Sequence, residues 1–129
     1  MNTLKAMALT ASFLIPMMGH AVQYKFVAMD KSVATKMCIT SAMNDLRKLR
    51  TQVKIYERKN KRGVANGYIC NDLSIAQFSS KYGAYKTASY LNKFAKDKNK
   101  ANLTSVEIRD LSASVNPQKT IVVYVGNAP

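Results

Sequence analysis

The amino-acid sequence predicts an α+β domain in which helices cover one face of a small antiparallel sheet, and three observations point there. Segments rich in strand formers stand at both ends of the chain beyond residue 22, at 23–29 and at 103–125. A stretch free of glycine and proline, residues 33–59, carries apolar residues at helical spacing. Cys38 and Cys70, the only cysteines, each fall where a predicted element faces the core.

The elements follow in order. Residues 1–21 read as a secretory signal peptide: Lys5 gives a positive start, residues 6–18 are uncharged and mostly apolar, Pro16 breaks the run, and Gly19-His20-Ala21 offers small residues to a peptidase. Cleavage is expected after Ala21. The apolar run is too short for a permanent span, so a soluble periplasmic or secreted product is expected, with residues 22–129 forming one domain.

Residues 23–29 then alternate weakly as a short strand. Asp30 and Ser32 offer capping oxygens to one long helix, 33–59, with Cys38, Ala42, Leu46, Leu49, Val53 and Tyr56 on its inner face. Residues 64–70 read as a second strand. Asn71 and Asp72 are expected to cap a short helix ended by Gly83, and a third helix covers 84–95. Residues 93–100 read as a polar, basic connector without core content. The alternating run 103–111 and the β-branched Thr120–Val125 form a C-terminal β-hairpin around the loop 112–118.

In an exported chain, two widely spaced cysteines read as a structural disulfide, a free thiol pair or a metal site being the alternatives. Such a bond would contribute about 3 to 4 kcal/mol in the chain-entropy model.

Composition limits the chemistry. His20 is the only histidine and would leave with the signal peptide; there is no tryptophan, and the carboxylates Asp30, Asp45, Glu57, Asp72, Asp97, Glu107 and Asp110 are scattered. No Ser-x-x-Lys pair supplies a lysine base. Cysteine, histidine and aspartate are not clustered as zinc or calcium sites require, so no metal and no cofactor is expected. Catalysis is not the expected role.

Charge carries the sharper expectation. The chain has a formal net charge of +13, from which cleavage would subtract only Lys5. A balance so positive draws polyanions: lipopolysaccharide, anionic lipid or nucleic acid. Residues 47–62 hold eight basic side chains against Glu57 alone. Arg47, Arg50, Lys54 and Arg58 recur on one helical stripe and form the candidate anion-binding residues, with Tyr56 and Tyr68 as stacking platforms; a plainly solvated face is the competing reading. A second cluster, Lys81, Tyr82, Tyr85, Lys86 and Tyr90, straddles Gly83, and packing of its rings on the sheet is the default.

The run Phe26-Val27-Ala28-Met29-Asp30-Lys31-Ser32-Val33-Ala34-Thr35-Lys36-Met37-Cys38 and the later Cys70-Asn71-Asp72 resemble a family of small exported bacterial proteins catalogued as domain of unknown function 3718. The resemblance covers roughly residues 24–91. It implies the compartment and the paired cysteines, and carries no catalytic or binding residue. The expected function is therefore non-enzymatic binding of an anionic envelope component or an envelope protein. An inhibitor of an exported enzyme and a carboxylate-dependent hydrolase are the alternatives.

Overall fold

The computed structural model describes residues 22–103 and 120–126. Its elements run β1 (Gln23–Ala28), α1 (Val33–Ala42), α2 (Leu46–Tyr56), α3 (Lys61–Gly67), β2 (Ile69–Cys70), β3 (Leu73–Ser74), α4 (Ile75–Lys81), α5 (Tyr85–Asn92), a 3-10 turn at Asp97–Asn99, and β4 (Thr120–Val125). The signal-peptide segment 1–21 and the first hairpin strand beyond Leu103 lie outside the described residues.

β1 and β4 pair in parallel, from Gln23 against Thr120 to Ala28 against Val125, which corrects the expected antiparallel sheet. Parallel strands need a long crossover, and here the whole helical body lies between the two strands. Antiparallel pairing is confined among the described residues to the two-residue ladder of β2 and β3. Alternation along the parallel pair sends Phe26, Val123 and Val125 toward the helices and leaves Lys25, Val122 and Tyr124 outside. Tyr24 and Phe26 meet Tyr82 edge-on at 4.9 and 5.2 Å, and Phe78 lies 5.0 Å from Tyr82.

The expected long helix is broken between α1 and α2. Asn44 adopts a left-handed conformation (φ 61°), and its side-chain oxygen accepts from the backbone N–H groups of Lys86 (3.0 Å) and Thr87 (3.3 Å). It thus caps α5, whose own N-cap residue, Ala84, supplies no side-chain oxygen. Asp45 restarts the chain as α2 by accepting from Lys48 N–H at 2.9 Å. On the two shorter helices Cys38, Ala42, Leu49 and Val53 are buried as expected, whereas Leu46 is half-buried and Tyr56 is exposed.

Residues 64–70 also depart from expectation. Asn60 accepts from Gly63 N–H at 2.9 Å and starts α3, so only Ile69 and Cys70 are extended. Asn71 and Asp72 are not helix caps. Both are left-handed (φ 44° and 67°) and turn the chain from β2 into β3, while Ser74 and Gln77 form the capping box of α4. Gly83, at φ 76°, ends α4 where a side chain would be strained.

Asn71 instead fastens the end of β4. Its N–H donates to the Gly126 carbonyl (3.1 Å), its side-chain amide donates to the Tyr124 carbonyl (2.7 Å), and its side-chain oxygen accepts from Gly126 N–H (3.0 Å). The neighbouring Cys70 is bonded to Cys38, with Cα atoms 5.8 Å apart and both residues fully buried, so β2 is tied to α1. Met37, Val64, Ile75, Phe78 and Leu91 share one buried core with the two cysteines. Buried hydroxyls find partners within the same core: Thr87 donates to the Ser41 carbonyl (2.6 Å), Ser79 donates to the Ile75 carbonyl (2.7 Å), and the Ser41 and Ser79 hydroxyls bond each other.

Replacing both cysteines by serine should lower unfolding stability by about 3 kcal/mol, read as an earlier urea midpoint under non-reducing conditions. An unchanged midpoint, or two titratable thiols in the wild-type protein, would contradict the bond.

Candidate anion-binding site

α2 is amphipathic because Leu49 and Val53 face the core while Arg47, Arg50 and Lys54 are exposed on its other side. These three keep the expected stripe. Arg58 does not continue it: α2 ends at Tyr56, and Arg58 (φ 48°) and Lys59 (φ 68°) are both left-handed, bending the chain toward α3. The turn is held by Lys59 N–H donating to the Val53 carbonyl at 3.1 Å.

The bend builds something the stripe alone does not. Arg50 and Lys54 from α2, Lys59 from the turn and Lys61 from α3 converge on a groove of about 350 Å³, walled by Val53 and Tyr90. The Arg50 guanidinium lies 5.0 Å from the centre of the Tyr90 ring; Tyr90 meets Phe94 edge-on at 5.4 Å; and Lys61 Nζ lies 5.2 Å from the Phe94 ring. Two cations are therefore held at either end of a pair of rings, each by cation–π attraction of about 0.5 to 2 kcal/mol.

A second recess, of about 500 Å³, adjoins the first through Phe94 and is lined by Arg62, Gly63, Asn66, Lys93, Ala95 and Lys96. Asn66 organises it: its amide donates to the Phe94 carbonyl (3.0 Å), and its oxygen accepts from Lys96 N–H (2.7 Å) and from the Asn99 amide (3.1 Å). The segment 93–100, expected to have no core content, is thus fixed to the fold, with Phe94 and Ala95 half-buried against the core. Gln77 adds bonds to the Lys98 and Lys100 carbonyls at 3.0 and 3.3 Å.

Among the described residues the cations of both recesses form no ion pair; the pair present there is Lys100 with Asp97, at 3.2 Å. Three carboxylates serve the fold. Asp30 accepts from Ser32 N–H and from the Thr35 hydroxyl, Asp45 caps α2, and Glu57 accepts from the Tyr68 hydroxyl. Burial, then this bond and the Glu57 charge, push the Tyr68 phenol well above its ordinary range and keep it protonated. Tyr68 is therefore engaged rather than free to stack, while Tyr56 is exposed. Glu107 and Asp110 lie outside the described residues.

The Lys81 to Tyr90 cluster is dispersed. Tyr82 packs beneath β1, Tyr90 walls the basic groove, and Tyr85 and Lys86 line a third recess of about 460 Å³ with Ser89 and Leu103. Phe94 and Asn66 escaped the sequence reading, which counts Lys59 and Lys61 only within the basic run 47–62 and Tyr90 only within the Lys81 to Tyr90 cluster. Asn60 ahead of Lys61 was the available sign of a helix start, and the four-residue spacing of Tyr90 and Phe94 was the available sign of a paired-ring face.

A helical core closed by a buried disulfide, with basic recesses on one side, defines a small α+β module. The chain belongs to the family described as "Protein of unknown function (DUF3718)", whose model matches residues 37–113. That range begins inside α1 and runs through both Cys38 and Cys70 and the segment 93–100. No curated protein and no solved structure matches the chain.

Lys59 stands at φ 68°, where a side chain costs about 1 kcal/mol relative to glycine. Lys59→Gly should therefore leave the fold as stable as wild type or more stable by about 0.5 kcal/mol, measured by thermal melting. A marked loss of stability would show that the Lys59 side chain supports the turn.

Proposed function

We propose that the protein is exported through residues 1–21 and acts, without catalysis, as a periplasmic or secreted binding protein for an anionic envelope component. What supports this reading best is the convergence of Arg50, Lys54, Lys59 and Lys61 on one groove, continued by Arg62, Lys93 and Lys96, with no carboxylate among the described residues that line either recess. Like charges held together repel one another, and an arriving anion relieves that repulsion while releasing its own counterions. Arg47, on α2 beside the groove, adds to the field; Arg58 lies beyond the helix and contributes through net charge.

A second reading, a protein partner such as an exported enzyme held by this module as inhibitor, draws on Ile55 and Tyr56. They are 64% and 55% exposed on α2, next to Lys54. Exposed apolar side chains beside a charged groove suit a protein surface better than a polyanion.

Two charge-reversed variants separate the readings. One carries glutamate at Arg50, Lys54 and Lys61; the other at Lys25, Lys31 and Lys36, which are exposed and line neither recess. Binding of heparin and lipopolysaccharide should fall steeply with salt for wild type, and the groove variant should lose it with a salt slope lower by about one unit per lost contact. Equal losses from both variants would reduce the effect to net charge. Absence of wild-type binding at low salt, with a partner from an envelope extract retained at high salt, would favour the protein-partner reading.

A further inference from the structure

We propose that the groove formed by Arg50, Lys54, Lys59, Lys61 and Tyr90 is a discrete site for a terminal phosphate, the phosphomonoester dianion of a sugar or a lipid head group. This rests on the reading of the basic face as an anion-binding surface, and it names the chemical group that the face selects.

Size comes first. A volume of about 350 Å³ lies at the small end of ligand sites, which suits one compact head group. Ring chemistry comes second. Proteins that hold single-stranded nucleic acid stack bases on exposed aromatic faces. Here Tyr90 is only 8% exposed, and the Arg50 guanidinium lies over its ring. Lys61 likewise occupies Phe94, so both rings act as supports for cations and offer no platform to a base.

Donor geometry comes third. A guanidinium held over a ring by cation–π attraction keeps an N–H fork, which matches phosphate oxygens two at a time. Among the described residues no hydrogen bond or ion pair engages that fork on Arg50. Lys54, Lys59 and Lys61 add compact charges around the same space. A carboxylate or a phosphodiester brings one negative charge to four cations. A phosphomonoester brings nearly two at neutral pH, with three acceptor oxygens, and so balances the groove better.

That choice fixes a pH signature. The groups facing the ligand are Arg50 and Lys54 on α2, Lys59 in the turn, Lys61 on α3 and Tyr90 on α5. Arginine, lysine and tyrosine do not ordinarily change charge between pH 5 and 8. The ligand does, since a phosphomonoester loses its second proton near pH 6. Affinity should rise as pH increases through about 6, with the change belonging to the ligand.

The test uses the disulfide-bonded protein, phosphatidylcholine vesicles carrying either phosphatidic acid or phosphatidylglycerol at matched surface charge, and glucose 6-phosphate in solution. Binding to phosphatidic acid should exceed binding to phosphatidylglycerol by about tenfold and weaken from pH 7.5 to pH 5. Arg50→Lys keeps the charge but loses the fork, and should remove about tenfold of that affinity, whereas Lys36→Arg, on α1 and lining neither recess, should not. Binding of glucose 6-phosphate as well would assign the group to sugars; binding to vesicles alone would assign it to lipid. Equal binding to both vesicle types, or an Arg50→Lys variant that behaves as wild type, would overturn the phosphate site while leaving polyanion binding intact. Loss of heparin binding by wild type itself would remove the underlying reading instead.

Discussion

The turn Cys70-Asn71-Asp72 is the constraint on which the rest of the fold depends. Three consecutive residues there act on three separate parts of the chain. Cys70 is bonded to α1 through Cys38, Asn71 holds the far end of β4 through three hydrogen bonds, and the left-handed Asn71 and Asp72 reverse the backbone into β3 and the capping box of α4. Among the described residues β4 pairs with β1 alone, and a two-stranded sheet is at best marginally stable by itself in water. β4 therefore relies on the bond set of Asn71 and on the burial of Val123 and Val125 beneath it.

The basic face is built by chain breaks as much as by helices. Asn44 interrupts what would otherwise be one long helix and uses its side chain to cap α5, so that α2 and α5 share a corner. Arg50 and Tyr90 meet across that pair of helices. Two left-handed residues, Arg58 and Lys59, then swing the chain so that Lys61 reaches Phe94. Left-handed non-glycine residues cost free energy, and two of them stand where the chain must turn between α2 and α3.

Much of this was legible in the residues, and what was not has physical causes. Two core-facing cysteines in separate elements, Ser32 before α1, and the inward period of Cys38, Ala42, Leu49 and Val53 all state local preferences that the fold obeys. Asn44-Asp45 carried its own warning, since both residues favour caps and left-handed backbone, but the flanking helical periodicity masked it. Val64 to Cys70 misled because Val, Tyr and Ile favour strands, whereas the Asn60 cap and packing of Val64 and Ala65 in the core decided for a helix. Strand direction was beyond reach: alternation reveals which face is buried, and nothing local tells where β4 returns to meet β1. The groove was hidden for the same reason, because Arg50, Lys61 and Tyr90 lie on three different helices that only the tertiary fold brings together.

The claim that residues 70–72 organise the molecule is tested most directly by backbone hydrogen exchange on Asn71→Ala. The substitution removes both side-chain bonds to the end of β4 and leaves the disulfide and the helical core in place. Amides of β4, and Met29, whose N–H donates to the Val125 carbonyl at 2.8 Å, should lose protection while α1 and α4 keep theirs. Unchanged protection in β4, or an equal loss throughout the helices, would contradict the account.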